Sequence, residues 1–108
     1  MTGNKILAGA AKYSSNRGIV LYNSSKVKGS INKNTIEKCS DSAIVVSLKS
    51  QVTGSVNGNK ISSAAKYGIQ TLNKSSIGKA IASNTIKNAK TSGILIGSIS
   101  NTLKIEKN

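Results

Sequence analysis

Histidine, proline, phenylalanine and tryptophan do not occur in this chain, and Cys39 is the lone cysteine. Each absence excludes something. Without histidine the chain lacks the usual general base and the commonest metal ligand. A single cysteine rules out an intrachain disulfide. With three tyrosines as the whole aromatic content, any core is built from Ile, Val, Leu and Ala. No apolar run approaches the roughly 18 residues that a membrane-spanning helix needs. Acids are scarce too: three, Glu37, Asp41 and Glu106, against sixteen basic residues, for a net charge of +13. Arg17 is the single arginine, and the lysines are spread along the chain rather than run together. Such a charge serves solubility, or it serves a polyanionic partner such as an acidic polysaccharide, teichoic acid, nucleic acid or anionic lipid.

Within this Ser-, Asn- and Gly-rich composition there is a repeat. Ile31-Asn32-Lys33-Asn34-Thr35-Ile36 returns as Val56-Asn57-Gly58-Asn59-Lys60-Ile61 and as Ile81-Ala82-Ser83-Asn84-Thr85-Ile86, each 25 residues after the last. Two residues beyond each asparagine stand Ile36, Ile61 and Ile86. A small residue follows at Ala43, Gly68 and Gly93, then Ile44, Ile69 and Ile94, then Val46, Thr71 and Ile96. Val52 with Ile77, and Val56 with Ile81, complete the unit. A first copy fits if five residues are inserted: Asn4 and Ile6 match the start, Gly18, Ile19 and Leu21 the middle, Val27 and Ile31 the end. The surplus falls around Ser14 to Arg17. Among the five apolar positions of the unit so matched Thr71 alone is polar. After Ile96 the pattern decays, with Leu103 and Ile105 continuing it one residue out of step.

The apolar runs are short, β-branched and alternating, which predicts strands and not helices. Three such runs occur per unit: Gly-Ile-x-Val/Leu, the stretch from Val27 to Ile31 and its copies, and the run begun by Ile36. None is long enough to fold alone. Stacking unit on unit pairs each strand with its own copy about 4.8 Å away, so the spacing predicts a parallel solenoid whose interior is stacked Ile and Val. Asn34, Asn59 and Asn84, with Asn4 in the first copy, then form a column. An inward asparagine supplies both donor and acceptor to backbone groups stranded at a bend. Two other architectures fit less well. Asn57-Gly58 is a hairpin signal, but its equivalents Asn32-Lys33 and Ala82-Ser83 are not. Leucine-rich repeats require apolar residues where Gly29, Gly54 and Lys79 stand.

In the motif Gly-Ile-x-Val/Leu, polar loop, Ile-x-x-Asn-x-Ile, over about residues 3 to 99, the chain resembles right-handed parallel β-helices of the pectate-lyase-like superfamily. The resemblance implies an all-β, right-handed single-stranded parallel β-helix of about four coils of 25 residues, three short strands each. The coils run at about 4–33, 34–58, 59–83 and 84–108, forming one domain that is part of a longer solenoid. It also implies a secreted or cell-surface bacterial protein, the secretion signal lying outside this chain.

Family enzymes act on polysaccharides with carboxylates, or with calcium and a basic residue, on outward positions of the first strand. Here those positions hold Val20, Val45, Gln70 and Leu95, then Tyr22, Ser47, Leu72 and Gly97. None is an acid or a base. Glu37 and Asp41 share a loop, but the sister coils carry Ser62, Lys66, Lys87 and Thr91 there, so the two are expected to be solvated loop charges. Cys39 takes the place of Ala64 and Ala89 and is expected to be a packed, inert thiol. The sequence holds no Gly-rich phosphate loop, no calcium repeat, and no residues that imply a cofactor or metal.

What remains is a surface. Val20, Val45, Gln70 and Leu95, with Tyr22 and Leu72, form a largely apolar strip. Lys12, Arg17, Lys38, Lys66 and Lys90 are expected to rise on one side of it, and Lys26, Lys49 and Lys74 on the other. Such a strip suits an anionic polysaccharide: lysine neutralises carboxylate or sulfate, and the strip contacts sugar faces. It equally suits coverage by the rest of a larger protein or by a second copy, and open coil ends favour association. Nucleic acid is disfavoured because no aromatic stacking platform exists and arginine is nearly missing. The function expected is thus a non-catalytic structural or carbohydrate-binding module. The alternatives are a fragment of a polysaccharide lyase, hydrolase or epimerase whose catalytic coils lie elsewhere, and an engineered or excised repeat scaffold.

Overall fold

A computed structural model describes residues 5–7, 18–39, 41–97 and 104–106. They form strands, bends and turns, with no helix among them. Every strand pairing is parallel. The first sheet stacks Ile19–Leu21, Ile44–Val46, Tyr67–Thr71 and Ser92–Ile96. The second stacks Lys26–Val27, Gln51–Val52 and Ser76–Ile77. In the third are Ile31–Asn32, Val56–Asn57, Ala80–Ala82 and Lys104–Glu106. The fourth holds Lys5–Leu7, Thr35–Glu37, Lys60–Ser62 and Thr85–Lys87. Ile19 pairs with Ile44, Ile44 with Ile69 and Ile69 with Ile94, so the first sheet alone records three complete laps of the chain.

The three runs expected per coil are present, and the second is paired in two halves. Lys26–Val27 and Ile31–Asn32 belong to different sheets, separated by a bend at Gly29, whose φ of 112° is glycine territory. Both departures from the 25-residue period also follow the sequence. Ile6 pairs with Ile36, an interval lengthened by five residues, and Ile105 pairs with Ile81 one residue early. The five-residue surplus lies between Leu7 and Gly18, outside the described residues, as do Asn4, Lys12 and Arg17.

Alternation along each strand sends one set of side chains inward. Ile31, Val56 and Ile81 are wholly buried, as are Ile36, Ile44, Ile69 and Val46. With Val52, Ile61 and Ile77 they form one continuous cluster, against which Val27, Ile86, Ile94 and Ile96 pack. Burial of each such side chain is worth about 1.5–3 kcal/mol, and the supply is spread evenly from coil to coil. Thr71 shares this interior at the position of Leu21 and Val46.

Three hydrogen-bonded side-chain columns fix the bends. In the asparagine column the Asn34 backbone N–H and its Nδ2 both donate to Asn59 Oδ1, each at 3.0 Å. Asn59 repeats this toward Asn84 Oδ1, at 3.0 Å from N and 2.9 Å from Nδ2. Facing the other way, Asn59 Nδ2 donates to the Ile31 carbonyl at 3.1 Å and Asn84 Nδ2 to that of Val56 at 3.0 Å. Two serine columns join it. The N–H groups of Ser25 and Ser50 donate to the hydroxyls of Ser50 and Ser75, both at 3.2 Å. At the next bend the direction reverses: Ser55 N–H donates to the Ser30 hydroxyl at 2.9 Å and Ala80 N–H to that of Ser55 at 3.3 Å.

Candidate functional site

The outer face of the first sheet carries a groove of about 500 Å³, whose lining includes Tyr22, Val45, Gln70, Leu72 and Lys66. These five are sequence-predicted surface residues, brought together because ladder register places Val45 beside Gln70 and Leu72 follows one strand over Ser47. Val20 and Leu95 continue the row at either end, paired to Val45 and Gln70, without lining the groove. Lys38 and Lys90 are exposed on the loop side and also lie outside its lining. On the opposite side Lys26 is exposed, and Lys49 and Lys74 line a second cleft with Asn23, Ser24, Leu48 and Asn73. The two clefts meet at Leu48 and Asn73.

The strip is less apolar and less open than its sequence implies. Val20 is 40% exposed, but Val45 only 2%. Val45 has a neighbour in the ladder on each side, and Ser42 reaches across to Gln70, its Oγ donating to Oε1 at 3.1 Å. Ser47, expected outside, is buried as well. Asp41, expected to be a solvated loop charge, is 6% exposed and lines the groove. Its Oδ1 accepts the Ser42 backbone N–H at 2.8 Å and stands 3.8 Å from Lys66 Nζ. Lys66 is largely exposed, and an ion pair of that kind contributes at most about 1 kcal/mol. The bond to Ser42 therefore positions Asp41 more firmly than the lysine does. Cys39 is buried nearby; burial first, and the charge of Asp41 second, push its thiol pKa up. A raised pKa lowers the thiolate fraction and so the reactivity.

The sequence reading missed Asp41, Ser47, Leu48, Tyr67, Asn73 and Thr91 as groove residues. The signal was there: Asp41, Lys66 and Thr91 occupy one 25-residue column, and all three line the groove. That column holds a single acid, Asp41, beside a lysine and a threonine.

A family model described as a right handed beta helix region matches residues 1–108. Comparison with curated proteins and with solved structures found no match.

Proposed function

The chain belongs to the right-handed β-helix family, and on that premise we propose that it is a non-catalytic, secreted or cell-surface module that binds an anionic polysaccharide along the outer face of its first sheet. The observation that carries this reading is the composition of the joined clefts. Lys66 stands on one side, Lys49 and Lys74 on the other, with Tyr22, Leu48, Leu72, Gln70 and Asn73 between them. Apolar and aromatic surface suits the faces of sugar rings, amides suit their hydroxyls, and ammonium groups suit carboxylate or ester anions. The net charge of +13 adds long-range attraction for a polyanion.

The test is titration of the protein with a polyuronate, a sulfated glycan and a neutral glucan at low salt. The anionic chains are expected to bind with an affinity that falls as salt rises, and the neutral glucan to bind weakly or not at all. Absence of binding to every polyanion at low salt would refute the proposal.

A further inference from the structure

We propose that Lys49 and Lys74 form a two-lysine subsite for a tetrahedral oxyanion, a sulfate or phosphate ester, carried on the glycan; this rests on the polysaccharide-binding reading above. Elsewhere among the described residues like charges are not stacked. Lys26 is paired in its ladder with Gln51, and Lys60 lies between Thr35 and Thr85. Lys87 pairs with Ser62, and in the 25-residue register Lys66 falls between Asp41 and Thr91. Lys49 and Lys74 are the exception among the described residues. The Lys49 N–H donates to the Asn73 carbonyl at 3.0 Å, as Ser24 N–H does to that of Leu48 at 2.9 Å. The two turns are thus adjacent rungs, about 4.8 Å apart. Like charges stacked on adjacent strands are destabilising.

The backbone at this place is left-handed, as it is at Asn23 and Ser24 one coil earlier. Leu48 and Lys49 have φ of 54° and 62°, and Asn73 and Lys74 of 55° and 59°. The flanking bonds from Ser50 N–H to the Ser47 carbonyl and from Ser75 N–H to that of Leu72, both 3.3 Å, close two-residue turns of the type that glycine and asparagine favour. A lysine in the left-handed region is disfavoured by about 1 kcal/mol or more. Both lysines are exposed, line one cleft, and have no acidic partner among the described residues. The ladder and serine-column bonds hold the turns, but nothing among the described residues offsets the charge repulsion.

A bound anion would offset that repulsion. Each ammonium offers three donors without a planar geometry, which suits the oxygens of a tetrahedral ester. A planar carboxylate is better served by the fork of arginine, which this pair does not offer. Leu48, 43% exposed beside the pair, offers the adjoining sugar an apolar contact.

The experiment is calorimetric titration of three proteins: wild type, the double variant Lys49→Gln with Lys74→Gln, and a charge-matched control, Lys28→Gln with Lys87→Gln. The ligands are dextran sulfate, phosphorylated dextran and polygalacturonate of matched charge density. Wild type is expected to bind at least one ester better than the polyuronate. The Lys49/Lys74 variant is expected to lose about tenfold or more on the esters, as for lost charge-assisted bonds, and little beyond the control on polygalacturonate. Whichever ester is preferred identifies the source of the oxyanion. If the Lys49/Lys74 variant matches the control on every ligand, the subsite is wrong while the glycan reading stands. If wild type binds none of the three, the underlying reading fails with it.

Discussion

Thr71 is wholly buried among aliphatic side chains, and its Oγ1 finds no hydrogen-bond partner. Val46 occupies the same place one coil earlier without a hydroxyl to satisfy. Leaving a buried polar group unpaired costs about 1–3 kcal/mol. Thr71→Val keeps the branched shape and removes the debt, so urea denaturation is expected to show stabilisation of about 1–2 kcal/mol. An unchanged or lowered midpoint would mean that the hydroxyl has a partner after all. Asn59 is the opposite case. It bonds to the coil on each side through both amide atoms. Asn59→Ala strands the buried Asn34 N–H and takes one hydrogen bond from the Ile31 carbonyl, for an expected loss of about 2–4 kcal/mol. Asn59→Asp turns a second oxygen toward the Asn84 and Ile31 oxygens in a wholly buried site, so at neutral pH it is expected to destabilise at least as much as Asn59→Ala.

The elements hold together through bends that bring backbones close. Gly78 N–H donates to the Val52 carbonyl at 2.7 Å, and a Cβ on Gly78 would lie against the Thr53 backbone carbonyl, 3.0 Å from its carbon. The neighbour is main chain held in a ladder and cannot swing aside. Gly78→Ala is therefore expected to destabilise by about 1–3 kcal/mol. Gly29→Ala meets open space but a φ of 112°, so its penalty arises from the backbone alone. Thermal melts of the two variants measure these separate costs, and a neutral Gly78→Ala would overturn the close-approach argument. The same bends mark where sequence reading ended. The stacking of Ile36 on Ile61, the lengthened interval from Ile6 to Ile36 and the early Ile105 were legible because apolar alternation and period record which residues face inward. The asparagine column was legible because a buried amide at each bend has a chemical reason to recur. The serine columns recur at 25 residues as well, yet serine is so common here that the recurrence carries little signal. The splitting of the second run at Gly29, and the burial of Val45 and Asp41, depend on how loops lie across a sheet. Periodicity does not record that, and so the groove was legible as a row of residues but not as a shape.

For the molecule as a whole, +13 spread over a small solenoid means that folding gathers cations which the unfolded chain holds apart. Each coil is about 4.8 Å from the next, well inside the roughly 10 Å screening length of 0.1 M salt. Self-repulsion of this kind opposes the compact state, so potassium chloride from about 20 mM to about 300 mM should raise the melting temperature as it screens the lysines. Glycan affinity should fall over the same range, and the opposed signs separate the two consequences of one charge. Sulfate provides the sharper comparison. At matched ionic strength it screens as chloride does, but an anion that binds the folded state adds stability in proportion to its occupancy. Sulfate should therefore raise the melting temperature of the wild type beyond chloride, partly through its general exclusion from protein surfaces. Lys49→Gln with Lys74→Gln keeps that general effect and should lose only the excess due to the pair. A flat response to chloride would show that the lysines are already too far apart to repel. Equal sulfate responses in both proteins would show that the stacked pair holds no anion.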